Sequence, residues 1–132
     1  MKSSIYLMIA HGSKDPAAAE AFQELLMNFR RIISDRRIEG CYLESAKPLL
    51  KESLDDFYQS GVRVFFLIPL LLFPGRHVRE DIPQILADFR LRCPDADLHF
   101  SSPLGSDPHL LRLLEDKLRA LEILDSKKGK KS

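Results

Sequence analysis

The sequence predicts an α/β fold: a single-lobe, three-layer α/β/α arrangement around a four-stranded, mostly parallel sheet. Nearly continuous apolar runs of strand length recur along the chain, as expected for strands covered on both faces. Between them lie stretches whose apolar residues fall at three- and four-residue spacing, the stripe of an amphipathic helix. The two patterns alternate four times in 132 residues, and right-handed crossovers then place helices on both faces of a parallel sheet.

Taken in order, Ser4 to Ala10 is the first strand, an apolar run with no in/out alternation. Asp15-Pro16 supplies an N-cap and a first-turn proline for a helix whose Phe22, Leu25, Leu26, Phe29, Ile32 and Ile33 form one stripe, ending near Asp35. Cys41-Tyr42-Leu43 closes a short second strand, and Pro48 opens a second helix that Gly61 stops. Val62 to Leu72 is the third and strongest strand. A loop at Phe73-Pro74-Gly75-Arg76 leads to a helix from about Pro83 to Arg92. Leu98 to Ser101 gives a fourth strand, and Asp107-Pro108 caps a last helix to about Leu124. One domain over residues 1–125 is expected, with residues 126–132 as a disordered Lys-rich tail.

Composition narrows the function. Apolar residues make up 45% and charged residues 30%, which excludes disordered and low-complexity classes. The net charge is +1, and Lys127, Lys128, Lys130 and Lys131 account for four of its positive charges, so the body of the chain is mildly acidic. Such a body lacks the basic face that displaces counterions from phosphates, and no nucleic-acid partner is expected. Cys41 and Cys93 form no Cys-x-x-Cys pair, which fits a reducing cytoplasm. The apolar stretch Ile5 to Ala10 is too short for a signal-peptide core, and the run Val64 to Pro74 is about half the roughly 20 residues a membrane span requires. No membrane partner is expected either.

In open parallel sheets, ligands bind beyond the carboxyl ends of the strands, where crossover loops and helix N-termini meet. His11 follows the first strand, Glu44 the second, and His77 lies in the loop after the third. Two imidazoles and a carboxylate suit divalent first-row metals, and a sheet order of 2-1-3-4 would let all three converge. Gly12, Gly75 and Gly105 fit close approach at that edge, and Lys14, Lys47, Arg76 and Arg79 would suit a substrate with several carboxylates. His99 and His109 fit no such pattern and read as surface or capping residues. No Gly-x-Gly-x-x-Gly or Walker loop occurs, which removes the usual support for dinucleotide or nucleoside-triphosphate binding.

Four segments together resemble the small CbiX-like sirohydrochlorin cobaltochelatases of the class II tetrapyrrole chelatases. They are Ala10-His-Gly-Ser-Lys-Asp-Pro16, Tyr42-Leu-Glu-Ser-Ala-Lys-Pro48, Pro69 to Pro83 with its Gly75-x-His77-x-x-x-Asp81-Ile-Pro core, and Pro103-Leu-Gly-Ser-Asp-Pro108. The resemblance implies a chelatase-like fold and insertion of a divalent metal into sirohydrochlorin, with cobalt on the path to cobalamin expected first and iron or nickel as alternatives. It places the family histidines on His11 and His77 and the acidic residue on Glu44, as catalytic and metal-holding groups. Ser13, Lys14, Gly75 and Arg76 are the expected substrate contacts. No tightly bound cofactor is expected, the metal being a substrate. Because larger members carry two such lobes, a homodimer enclosing the macrocycle is expected. A non-catalytic tetrapyrrole or metal carrier is the competing reading. A phosphohistidine phosphatase is disfavoured, because Ala10 stands where those enzymes place Arg before the histidine.

Overall fold

In the computed structural model, which describes residues 3–129, strands β1 (Ser3–Ala10), β2 (Ile38–Tyr42), β3 (Val62–Pro69) and β4 (Asp97–Phe100) pair in the order β2-β1-β3-β4. Every pairing is parallel. The expected order is therefore present, and the sheet is wholly parallel rather than mostly so. Helices α1 (Pro16–Ile32), α2 (Leu50–Gln59) and α3 (Arg76–Arg92) make the crossovers, and a 3-10 turn at Leu104–Ser106 precedes α4 (Pro108–Gly129).

The continuous apolar runs are explained by cover on both sides. Ile5, Leu7 and Ile9 of β1 and Phe65 and Leu67 of β3 point to one face, where they are sealed by Leu50 and Leu54 of α2 and Ile82, Leu86 and Phe89 of α3. Met8 and Tyr42 point to the other face, under Phe22 and Leu26 of α1. Asp15 caps α1 as its sequence signature predicts, its carboxylate accepting the Ala17 N–H at 3.0 Å. No helix among the described residues is long and apolar enough to cross a membrane.

Small shifts aside, such as α2 opening at Leu50 rather than Pro48, three boundaries matter. β3 ends at Pro69 rather than Leu72, since the chain turns away from the sheet after the Leu70 N–H donates to the Ile9 carbonyl. α3 begins at Arg76, so His77 sits in a helix's first turn and not in a loop. Pro83 lies inside this helix, where it forfeits one hydrogen bond; burial of Ile82, Leu86 and Phe89 against the sheet offsets that loss. Finally, α4 runs through residues 126–129, where a disordered tail was expected to begin. Lysines in a last turn interact favourably with the helix dipole, so Lys127 and Lys128 are compatible with helix there. The rest of the expected tail, residues 130–132, lies outside the described residues.

Candidate active site

Parallel pairing of β1 and β2 sets Ala10 opposite Tyr42, so the residues that follow each strand emerge side by side. The two loops stay joined beyond the sheet: the Leu43 N–H donates to the Ala10 carbonyl at 3.0 Å, and the Glu44 N–H to the His11 carbonyl at 3.1 Å. Gly12 makes this approach possible. Its φ is +105°, and a Cβ there would stand 1.7 Å from the Glu44 carbonyl oxygen, so a side chain would push the loops apart. The outcome is a pair, His11 Nε2 to Glu44 Oε1, at 2.9 Å.

A second pair forms within α3. His77 Nε2 lies 2.9 Å from Asp81 Oδ2, one helical turn further on. His11, Glu44, Gly75, His77 and Asp81 line one cavity of about 270 Å³, with Leu43, Val78 and Ile85 as its apolar wall. Both imidazoles remain open to solvent, the His11 side chain being 52% exposed and that of His77 84%. This edge of the sheet is an open surface, not a closed chamber.

His11, Glu44 and His77 border this one cavity, but as members of two pairs and not as one ready-made ligand set. Among the described residues, no three His, Cys, Asp or Glu side chains stand close enough to hold one ion together. Each histidine is engaged by its own carboxylate, so the site consists of two imidazole–carboxylate pairs around a shared space. Asp81 had no assigned role in the sequence reading. The signal that would have found it is its four-residue spacing from His77, which becomes informative only once the helix is known to start at Arg76.

The other expected site residues scatter. The Ser13 hydroxyl accepts the Asp15 N–H at 3.1 Å and lines a separate cavity of about 240 Å³ on the α1 side of His11. Lys14 and Lys47 are exposed on the same edge. The Arg76 guanidinium turns to Glu80, with Nε 2.9 Å from Oε1. Arg79 borders a small apolar cavity beside Pro69, Phe100 and Pro103. His99 stacks on Phe66, and the His109 imidazole lies 2.8 Å from the Asp107 carboxylate, both outside the paired site.

The CbiX family model matches residues 5–121, from β1 into α4. A sirohydrochlorin cobaltochelatase from Methanosarcina acetivorans is 31% identical over 108 residues, covering 76% of this chain and 83% of the relative. The chloroplastic sirohydrochlorin ferrochelatase of Arabidopsis thaliana is 26% identical over 113 residues; the match takes in 86% of this chain and spans half the length of that protein. Among solved structures, a CbiX protein from Marinobacter aquaeolei VT8 superposes with a TM-score of 0.76 at 27% identity, covering 93% of this chain and 98% of that one. The matched span contains both imidazole–carboxylate pairs and the glycine that lets their loops meet, and on that ordered match the chain belongs to the CbiX family.

Proposed function

We propose that this chain is a sirohydrochlorin chelatase, inserting a divalent metal into the macrocycle, with cobalt as the metal and cobalamin synthesis as the setting. Iron or nickel insertion into the same substrate is the alternative, and the relatives above carry both cobalt and iron in their names. The observation that carries the proposal is the two imidazole–carboxylate pairs bordering one cavity at the carboxyl edge.

Metallation exchanges two pyrrole N–H protons for one divalent cation, so the site must hold a partly desolvated metal and accept two protons. His11 and His77 are the acceptors and loose ligands. With Nε2 turned to a carboxylate, the Nδ1 lone pair is the one left for a proton or a metal. Glu44 and Asp81 orient the rings and stabilise the imidazolium once formed. The exposed Lys14, with Arg76 released from Glu80, would meet substrate carboxylates, while Ser13 and Gly75 shape the approach.

A macrocycle bound at this open edge would be covered on one face only, and we infer that a homodimer closes the other. We place the protein in the cytoplasm, a reading supported by two free, buried thiols, Cys41 and Cys93.

The deciding experiment is anaerobic incubation of the purified protein and sirohydrochlorin with Co²⁺, Fe²⁺ and Ni²⁺ in turn, followed by absorbance. Rates well above spontaneous insertion are expected, fastest with cobalt. Binding of the macrocycle with no acceleration by any of the three metals would overturn the catalytic reading in favour of a carrier.

A further inference from the structure

His11 stands between two cavities. On one side lies the paired site, and on its α1 side lies the separate space of about 240 Å³. His11 is the residue that lines both. Ser13 and Tyr42 supply the hydroxyls of the α1-side space, and the small side chains of Ala10, Ala18 and Ala19, with Gly12, leave it room.

Tyr42 ends β2 and is 6% exposed. Its backbone is held on both sides, by register with Ala10 of β1 and by donation of its N–H to the Pro48 carbonyl at 2.9 Å. Its ring meets Phe22 of α1 edge-on, with centroids 5.3 Å apart. Packing fixes the ring, yet its hydroxyl has no hydrogen-bond partner among the described residues, where a buried tyrosine ordinarily finds one. No sealed side-chain nitrogen or oxygen among those residues lacks a partner, so this hydroxyl keeps an open side, and the α1-side cavity is the space that Tyr42 lines.

The chemistry of the two hydroxyls selects the ligand. The Ser13 oxygen already accepts the Asp15 N–H at 3.1 Å, so its proton is the part left to offer. Tyr42 likewise has a proton to donate. Two donors call for a group rich in acceptors, and hydrogen bonds to a charged acceptor such as a carboxylate are the stronger kind. Lys14, next in the chain, is exposed at the same edge and adds a positive charge, while the Asp15 carboxylate is turned to the Ala17 N–H at 3.0 Å. The space lies below the roughly 300 Å³ at which pockets for whole small molecules begin. It takes an arm of the macrocycle and not the ring.

We propose that the α1-side cavity seats one carboxylate arm of the macrocycle, with the Tyr42 hydroxyl donating to that carboxylate and the Ser13 hydroxyl to its second oxygen. An arm seated on one side of His11 carries its ring over the other side, where His77 and Asp81 stand. Tyr42 is then a binding residue that sets which edge of the macrocycle meets the imidazoles, without touching a reacting atom. This inference rests on the chelatase reading above and adds the residue that fixes the substrate's register.

The test uses the full chain and Tyr42→Phe, which keeps the ring against Phe22 and removes one oxygen. Binding of metal-free sirohydrochlorin is followed by its fluorescence, and metallation with Co²⁺ by absorbance. The expected result is a rise of about 10-fold in Kd and KM, as for loss of one hydrogen bond to a charged group, with kcat and the thermal midpoint unchanged. The same macrocycle with its carboxyl groups methyl-esterified should bind wild type and variant equally. Ala18→Leu, at an exposed position of α1 that lines the cavity, should fill the space and raise Kd at least as much, and it carries the test should Tyr42→Phe fail to fold. Unchanged Kd in either folded variant would overturn the arm seat and leave the chelatase reading standing. A fall in kcat with Kd retained would overturn it as well, by giving the hydroxyl a part in the chemistry, and an equal loss for the esterified macrocycle would show that Tyr42 reads no carboxylate. Because binding is read without metal, the seat is decided independently of catalysis. Wild-type protein that does not bind sirohydrochlorin would overturn both readings.

Discussion

At the amino end of the sheet, Arg63 at the start of β3 donates to the Tyr58 and Val62 carbonyls at 2.8 and 2.9 Å and to Asp95 at 3.0 Å. Its guanidinium lies 3.8 Å from the centre of the Tyr58 ring, and the Tyr58 hydroxyl donates to the same carboxylate. That hydroxyl and Arg63 hold the Asp95 carboxyl below the usual carboxylate range, and the same hydrogen bond raises Tyr58. Nearby, Arg92 ties α3 to Asp55 of α2 at 2.9 Å. At the carboxyl end, His11–Glu44 joins two loops that backbone bonds already hold, and His77–Asp81 spans one turn of a single helix. Arg63–Asp95 and Arg92–Asp55 at the amino end join separate elements, while the two pairs at the carboxyl end add no link that the backbone does not already make. Side chains held in place by a scaffold that does not need them are available for chemistry.

The sharpest separation of the two ends should come from His11→Ala and His77→Ala. Each is expected to lower the metallation rate by at least about 100-fold, the lower range for loss of a proton-transfer group, with an unchanged thermal midpoint. A midpoint that falls with activity would make these histidines structural and erase the contrast. Glu44→Gln and Asp81→Asn should cost less, about 10-fold, as residues that orient another group. Losses equal to those of the histidines would instead give the carboxylates a direct proton or metal role.

Arg63→Ala should do the reverse. Removing its hydrogen bonds and ring contact is expected to cost on the order of 1–2 kcal/mol, read as a lower urea midpoint, with the metallation rate retained. The smallest effect concerns Cys41 on β2. Burial is the main cause that pushes its thiol up to about 12, against a smaller opposing hydrogen bond from Ser53. With so little thiolate, alkylation in the native state should be negligible at neutral pH and become prompt in denaturant. Prompt native labelling by mass spectrometry would show that the β2 side of the core opens readily.

Much of this was legible in the residues. The run Ser4 to Ala10 is nearly continuously apolar because β1 is central and covered on both faces, and the Asp15-Pro16 start of α1 is a local signal that the cap geometry realises. His11, Glu44 and His77 could be assigned to one edge because strand order fixes where strand ends emerge. The start of α3 was not legible. Pro83 is a strong local signal for a helix beginning, and only the packing of Ile82, Leu86 and Phe89 overrides it. Asp81 stayed hidden behind the same error.

Local chemistry, then, determined the elements, their order and the edge that carries the imidazoles, since propensity, capping and periodicity act within a few residues. The tertiary structure alone decided that the histidines take separate carboxylate partners, that Gly12 is required by the Glu44 carbonyl, and that α4 buries none of its residues. Apart from the four-residue His77–Asp81 pair, which waits on where α3 begins, those depend on distances between residues far apart in sequence.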